Sequence, residues 1–391
     1  MAEQLRNPQG RRSFIFLAAV AGVSLVLTSC AGGPRAPRPT QPTPTEPEPT
    51  TNLPSDETRN RVAVLVPLTG DNAGVGQSIA NAANLALLDT GGEKIRITVY
   101  DTAKAGALAA ANQALADGSG LFLGPLLAED ARAVAPAARR ARVPVIAFSN
   151  DTSIAGDGVF LMGFTPQQSI ARVVEYARGK GSERFGALVP QGVYGQRASA
   201  AMIEAVERNK GRMIGMQEYD RTATGMRDAL GRLNGQGSYD AILIGDGGRN
   251  ASAVAALVRT GSSKNARVLG TELWATESGL PQLVSLRGAW FASAPDSMFN
   301  QLQTKYRARY GRTPYRLASL GYDAVLLAVR IASEWPIGRA FPQNALLDPG
   351  GFSGVDGAFR FSKDGIAERA LQVQQVDAAG LSVVSPAPKG F

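Results

Sequence analysis

The chain has 391 residues, one cysteine and no histidine, and its formal net charge is +8. The lack of histidine excludes Ser-His-Asp and Cys-His catalysis and every histidine-containing zinc site, and a single cysteine excludes an internal disulfide. Lysine and arginine form no continuous block, so the positive charge does not indicate nucleic-acid binding.

The first predicted element is a secretory signal. An uncharged, largely apolar run, residues 13–27, follows the basic residues Arg6, Arg11 and Arg12. A membrane-spanning helix needs roughly 20 apolar residues, whereas a shorter run behind a basic start is typical of a signal peptide. The letters RRSFI also look like a twin-arginine export signal, so this route and the general secretory route both remain open.

The signal ends in the letters LTSC, which resemble a bacterial lipobox. This resemblance implies that Cys30 is lipidated and becomes the mature N-terminus. An ordinary signal with a chance cysteine is the alternative. Stable anchoring takes two or more acyl chains, which a lipidated cysteine with an acylated amine would carry. Ala31 follows the cysteine, and in Gram-negative lipoproteins this implies sorting to the outer membrane, facing the periplasm.

The next segment, 31–60, contains eight prolines in 30 residues. Few of its residues could join a core, so we expect a disordered tether with polyproline character. The sequence thus predicts a signal peptide over 1–30, a tether over 31–60 and a folded domain over 62–384.

The folded part alternates short apolar runs with helical stretches. Such runs, rich in valine, isoleucine and leucine, are typical of parallel strands buried on both faces. The runs of the first half are RVAVLVP (61–67), IRITVYD (95–101), LFLG (121–124) and VPVIAF (143–148). The runs of the second half are FGALVP (185–190), RMIGMQEYD (212–220), DAILIGD (240–246) and ARVLG (266–270).

This repetition predicts an α/β fold with two doubly wound parallel-sheet lobes, a hinge and a cleft at the carboxyl ends of the strands. We expect 298–335 to be mainly helical and 350–384 to form a β-hairpin or meander. The first lobe would comprise about 62–165 and 295–335. The second lobe would comprise about 166–294 and 336–384.

The sequence resembles known proteins at two levels, a broad group and a narrower family. The stretch RVAVLVPLTGDNAGVGQSIANAANLAL resembles the opening of type 1 periplasmic-binding proteins of the leucine-binding kind. More narrowly, the fragments PLTG…GVGQSI, VYDT, GPLL, FSND, YGQR, LGYDA and FSGVDGAFRFSKDG, in this order, resemble the LppC/LpoA family. Its members are outer-membrane lipoproteins that activate penicillin-binding proteins, the synthases of peptidoglycan.

The resemblance implies a set of cleft residues. Leucine-binding relatives hold a ligand's carboxylate with loop hydroxyls and with N–H groups at helix N-termini. Ala128 stands where such a hydroxyl is expected, and Glu129 and Asp130 add negative charge there. Glu272 aligns with the acid that holds a ligand's ammonium group. The implied cleft residues are Thr69, Leu126, Ala128, Ser149, Asn150, Asp151, Tyr194, Asp246 and Glu272.

These residues also have ordinary structural explanations that involve no ligand. The loop at 149–152 also suits a helix cap or turn, and acids at strand ends are often simply solvated. The glycines of GDNAGVGQSI do not complete a dinucleotide fingerprint, because Ile79 occupies the third glycine position.

Three functions remain open on the sequence. The first is a non-enzymatic regulator of a peptidoglycan synthase, and the second is a solute receptor that serves an ABC importer. The third is an enzyme on cell-wall polymer with Asp246 and Glu272 as paired carboxylates. We expect no cofactor, no metal and no nucleic-acid partner. The expected partners are a membrane, through the N-terminal lipid, a synthase or an importer, and a small-molecule ligand.

Overall fold

The computed structural model describes residues 58–277 and 279–391. The predicted signal peptide, Cys30 and the predicted tether up to residue 57 lie outside these residues. Within the described ranges, no helix has both the length and the apolar character that crossing a bilayer requires.

Strands and helices alternate through most of the described chain, and strands alone form its C-terminal part. The strands are β1 (Asn60–Val66), β2 (Ile95–Asp101), β3 (Leu121–Leu123), β4 (Val145–Ala147), β5 (Val159–Leu161), β6 (Arg184–Pro190), β7 (Arg212–Tyr219), β8 (Ala241–Ile244), β9 (Arg267–Gly270), β10 (Trp290–Ser293), β11 (Phe352–Gly354), β12 (Gly357–Phe361), β13 (Ala367–Arg369), β14 (Gln372–Asp377) and β15 (Gly380–Ser385). The helices are α1 (Ala73–Thr90), α2 (Ala107–Ala116), α3 (Ala128–Ala141), α4 (Pro166–Gly179), α5 (Val193–Arg208), α6 (Ala223–Asn234), α7 (Gly248–Thr260), α8 (Asp296–Tyr310) and α9 (Ala318–Ala332).

The first lobe is built on a five-stranded parallel sheet with the order β2-β1-β3-β4-β5. Successive side chains of a strand point to opposite faces. Val62, Val64 and Val66 of β1 therefore share a core with α1, α8 and α9. Ala63 and Leu65 lie in a separate core with α2 and α3. The small side chain of alanine recurs in α2 and α3, which lets these helices pack closely on the sheet.

The second lobe has a seven-stranded sheet with the order β15-β14-β10-β9-β8-β6-β7. Strands β6 to β10 pair in parallel, and β14 and β15 add an antiparallel edge. Helices α4 and α5 pack on one face and α6 and α7 on the other. The predicted α/β fold with two doubly wound lobes is confirmed, because apolar strands on both lobes are covered by helices on both faces.

The C-terminal strands are divided between the lobes. Strands β11, β12 and β13 form a three-stranded antiparallel sheet, and Phe352, Phe359 and Phe361 pack in the first-lobe core with α9. Only β14 and β15 join the second lobe. This differs from the expected boundary, which assigned all of 336–384 to the second lobe. The physical reason is the aromatic face of the β11–β12 hairpin, which is buried against first-lobe side chains.

Three connections cross between the lobes: β5 to α4, β10 to α8, and β13 to β14. These crossings act as the hinge and also form the floor of the space between the lobes. They place Phe164, Thr165, Ala294 and Leu371 on its surface.

Candidate ligand-binding cleft

A cavity of about 380 Å³ lies between the lobes. This volume is within the range of roughly 300–1,000 Å³ that small-molecule sites occupy. Its walls are mainly apolar: Val75, Leu126 and Phe148 come from the first lobe, and Leu273 and Ala275 come from the second. The position matches the general rule that ligands of doubly wound sheets bind beyond the carboxyl ends of the strands.

A close contact between strand and helix shapes the first-lobe wall. Gly76 lies in the first turn of α1, and a Cβ at this position would lie 1.8 Å from the carbonyl oxygen of Pro67. Only glycine allows this approach. It holds the start of α1 against the end of β1 and places Asn72 and Val75 at the cleft.

Glu272 is the acidic residue on the second-lobe wall, and its carboxylate has donors on both oxygens. The Ser169 hydroxyl donates to Oε2 at 2.5 Å, and the Tyr194 hydroxyl lies 2.9 Å from Oε1. Burial raises the pKa of Glu272. Burial and the Glu272 carboxylate also raise the pKa of Tyr194. Tyr194 itself does not line the cavity but supports Glu272 from behind.

The loops after β3 and β4 supply the polar part of the first-lobe wall. Leu126, Ser149 and Asn150, three of the implied cleft residues, line the cavity. The Ser149 hydroxyl accepts the N–H of Asp151 at 3.1 Å. Ala128 begins α3 without lining the cavity, and the helix has no side-chain cap at its N-terminus. The position therefore offers no hydroxyl to an anionic ligand.

The remaining implied residues lie outside the cavity lining, and their polar groups are engaged elsewhere. Thr69 donates to Asp101 at 2.9 Å. The Asp246 carboxylate accepts hydrogen bonds from Tyr219 at 3.0 Å and Arg221 at 2.9 Å. Asp246 thus has a structural role at the end of β8, and it does not join Glu272 in the cleft.

Asp151 connects the two lobes. Its carboxylate forms an ion pair with Arg132 of the first lobe and a second one, at 2.7 Å, with Arg197 of α5 in the second lobe. Burial opposes the charge, but hydrogen bonds from Ser153 and Arg132 outweigh it, so the pKa of Asp151 is lowered. The residue bridges the lobes beside the cleft and does not line the cavity.

Sequence reasoning missed Ser169 and Arg316. Ser169 lies in the first turn of α4 and contacts Glu272 across 103 residues of chain. Arg316 lines the cavity while its guanidinium pairs with Asp356 and lies 4.1 Å from the centre of the Phe299 ring. No motif surrounds either residue, so neither could be found from the sequence. Within the described ranges, no group of three or more His, Cys, Asp or Glu side chains is arranged to hold a metal ion.

Solved structures share this architecture. A putative branched-chain amino acid ABC transporter protein of Rhodospirillum rubrum is 20% identical, with a TM-score of 0.72, covering 83% of this chain and 100% of that one. The LpoA C-domain of Haemophilus influenzae, described as a regulator of PBP1A, is 19% identical, with a TM-score of 0.67 and the same coverage of both chains. The leucine-binding protein LivK of Thermotoga maritima is 18% identical, with a TM-score of 0.60, covering 84% of this chain and 98% of that one.

Sequence comparison agrees with the fold. An uncharacterized protein of Rickettsia prowazekii is 26% identical over 174 residues, which are 44% of this chain and 47% of the relative. The match therefore spans about half the length of that curated relative. A profile of the periplasmic binding protein family matches residues 60–381, which include both lobes and the hinge. The chain belongs to the periplasmic binding protein family and has its type 1, leucine-binding-like fold.

Proposed function

We propose that this chain is a lipid-anchored, non-enzymatic binding protein that regulates a peptidoglycan synthase from the periplasmic face of the outer membrane. The anchor is the lipid on Cys30, and the predicted tether that precedes β1 gives the domain its reach. Support comes from the seven ordered fragments that resemble the LppC/LpoA family. The match in fold to the LpoA C-domain is consistent with this proposal.

The observation that carries the proposal is the contact between two of these fragments. The Asp323 carboxylate of LGYDA accepts the N–H of Val355 at 2.7 Å and the N–H of Asp356 at 3.3 Å. A Cβ at Gly354 would lie 2.3 Å from this carboxylate, so the glycine of FSGVDG is required for the contact. The two fragments are therefore in direct contact, so the resemblance involves residues that lie together in the fold.

The cleft differs from what an amino-acid receptor needs. Ala128 offers no hydroxyl at the start of α3, and Glu129 and Asp130 in the first turn oppose a bound carboxylate. On the facing lobe, both oxygens of Glu272 are already engaged by Ser169 and Tyr194. These features favour the regulator over a receptor for free amino acids.

The direct test is capture of the synthase. The full-length lipoprotein, isolated from membranes, is mixed with a purified bifunctional penicillin-binding protein, and glycan polymerisation is followed. We expect co-isolation of the two proteins and a faster polymerisation rate. An unrelated lipoprotein with the same tether serves as the control. Failure to bind, with an unchanged rate, would contradict the proposal.

A second candidate is a solute receptor for an ABC importer, and the interlobe cavity favours it. Apolar walls with a single carboxylate suit a ligand that has an apolar body and a cationic group. In that case Glu272 would pair with the cation, because a partly buried carboxylate gains most from an opposite charge.

The receptor is tested by thermal shift of the chain against amino acids and other amines. If a ligand binds, we expect Glu272→Gln to weaken binding by roughly tenfold or more, since the loss of one charged hydrogen bond costs about 1.5–3 kcal/mol. Glu204→Gln, an exposed change on α5, is the matched control. Binding should also weaken as the pH falls through the raised pKa of Glu272, because protonation removes its charge. A panel without any hit would exclude the receptor and leave the regulator.

A further inference from the structure

A second cavity, of about 530 Å³, lies at the base of the first lobe, far from the cleft end of its strands. The cavity is bounded by the start of β1, the turns before β3 and β4, and the turn after α9. Among the described residues that line it, none is acidic and four are arginines: Arg59, Arg61, Arg142 and Arg339.

The walls of this basic cavity are held in place. The indole of Trp335 donates to the carbonyl of Arg339 at 2.8 Å, and Asn60 donates to the carbonyl of Trp335 at 2.8 Å. A Cβ at Gly120 would lie 2.7 Å from the Trp335 ring, so the opposite wall is in close contact as well. Arg61 is oriented by a hydrogen bond of 2.6 Å to the carbonyl of Asp117. The site is thus built on packed backbone and not on a loose surface loop.

Two of the four arginines have no acidic partner among the described residues. Arg142 and Arg339 are exposed and form no ion pair or side-chain hydrogen bond with any residue in 58–277 or 279–391. The nearby carboxylate of Asp117 accepts from Tyr100 at 2.7 Å and from Gln113 at 3.0 Å, so its oxygens contact these neutral donors and not Arg142 or Arg339. Basic residues often occur at helix C-termini, where they interact favourably with the helix dipole. This does not explain all four arginines, because Arg339 lies outside any helix and Arg59 precedes β1.

We propose that this cavity binds a phosphate-bearing anion through Arg142 and Arg339, with Arg61 adding to the positive field. Guanidinium groups bind phosphate with two parallel N–H donors, which explains a preference for phosphate over a single-point anion. The headgroup of an anionic phospholipid and a free phosphate compound share this chemistry.

The position of the N-terminal end of the domain supports a phospholipid headgroup as the source of the phosphate. The described residues begin at Thr58, directly before Arg59 of the cavity. Under the proposed anchor, this end of the domain is the one joined through the tether to the lipid on Cys30. An anionic bilayer surface attracts basic groups by about 1 kcal/mol for each lysine or arginine near it. The identification of the ligand as a lipid headgroup depends on the proposed anchoring. The binding of a phosphate group by the arginines does not depend on it.

The test uses the full-length chain in nanodiscs of phosphatidylcholine, with an environment-sensitive dye on Ala340→Cys at the cavity rim. Lipidation would block Cys30, so the new cysteine is the only reactive thiol. One arm titrates pyrophosphate, and the other replaces part of the lipid with phosphatidylglycerol. We expect a saturable dye response in at least one arm. A response to pyrophosphate identifies a free phosphate compound as a ligand, and a response only to phosphatidylglycerol identifies the headgroup.

The variants decide whether the arginines are responsible. Arg142→Gln with Arg339→Gln should weaken the response by about tenfold or more, since each lost charged hydrogen bond costs about 1.5–3 kcal/mol. Arg212→Gln with Arg227→Gln, two exposed changes on the second lobe, should leave it unchanged. Equal thermal unfolding of both double variants excludes misfolding. No response in either arm, or a response that survives the first pair, would overturn the proposal. Mass spectrometry of the purified chain reports the lipid on Cys30 separately, so a failed anchor is distinguished from a failed site.

Discussion

Charged side chains are buried between α9 and the β11–β12 hairpin. Asp323 and Asp356 face Arg316 and Arg369, and both carboxylates and Arg369 are less than a tenth exposed. Isolated buried charges are costly, and within the described residues Asp356 Oδ2, Arg369 Nε and Arg369 Nη1 have no hydrogen-bond partner. Burial and the neighbouring Asp356 carboxylate raise the pKa of Asp323 to about 7. The group therefore binds a proton more tightly in the folded protein than in the unfolded chain.

This shift predicts a dependence of stability on pH. Between the ordinary pKa of 3.8 and the raised value near 7, the folded state holds the extra proton, so Asp323 lowers the free energy of unfolding as the pH rises. Asp323→Asn keeps an oxygen that can accept the N–H of Val355. We expect this variant to flatten the slope by up to one proton, about 1.4 kcal/mol per pH unit.

Chemical unfolding of the wild type and the variant at pH 4 to 8 measures this difference. Asp228→Asn, an exposed change on α6, should keep the wild-type slope. An identical slope for Asp323→Asn would show that the Asp323 carboxylate remains charged across this range.

At the scale of elements, both lobes contain the same type of connection between a strand and the helix that follows it. A proline ends the strand or directly follows it, and a glycine in the first turn of the next helix contacts the proline carbonyl. A Cβ at Gly76 would lie 1.8 Å from Pro67 O, and a Cβ at Gly195 would lie 1.7 Å from Pro190 O. These contacts fix α1 close to the first-lobe sheet and α5 close to the second-lobe sheet.

Gly195→Ala should therefore destabilise the chain by at least about 1–3 kcal/mol, because the added methyl group forces α5 away from β6. Gly231→Ala is a matched control in the helix α6, where a Cβ meets nothing within 4 Å. It should stabilise by roughly 0.5–1 kcal/mol through helix propensity. Thermal or chemical unfolding measures both values. If Gly195→Ala left the free energy of unfolding unchanged, α5 would be able to move away from β6 without loss of stability.

At the scale of the whole molecule, the relative position of the lobes depends on the three crossings and on contacts across the cleft. One such contact is the ion pair between Asp151 and Arg197, whose side chains are 8% and 24% exposed. A partly buried pair is screened by salt less than an exposed one. It stabilises the arrangement of the lobes seen in this structure directly, because its two members belong to different lobes.

Arg197→Gln should shift the lobes toward a more open arrangement. Small-angle X-ray scattering should then show a larger radius of gyration for the variant than for the wild type at the same ionic strength. Arg208→Gln on the same helix removes an exposed pair within one lobe and should leave the scattering unchanged. Equal scattering curves for Arg197→Gln and the wild type would show that the hinge alone sets the lobe angle.

Much of the cleft was accessible to sequence reasoning, but not the roles of its residues. Leu126, Ser149, Asn150 and Glu272, four of the implied residues, line the cavity, and their contact with a ligand stays a prediction. Asp246 and Asp151 carry the expected charges at the expected strand and loop ends, yet arginine side chains engage them. The arginines that pair with these two carboxylates, Arg221 and Arg197, are brought there by the packing of other elements. A local sequence pattern does not predict that packing.

The sequence by itself determined the α/β class and the two lobes, because buried parallel strands must be apolar on both faces and therefore leave a local signature. It also carries the predictions of the signal peptide, the lipidated Cys30 and the tether. Only the tertiary structure decided the division of the C-terminal strands, the support of Glu272 by Ser169 and Tyr194, and the cavity with four arginines. These features join residues that are distant along the chain, so they depend on long-range packing and not on local composition.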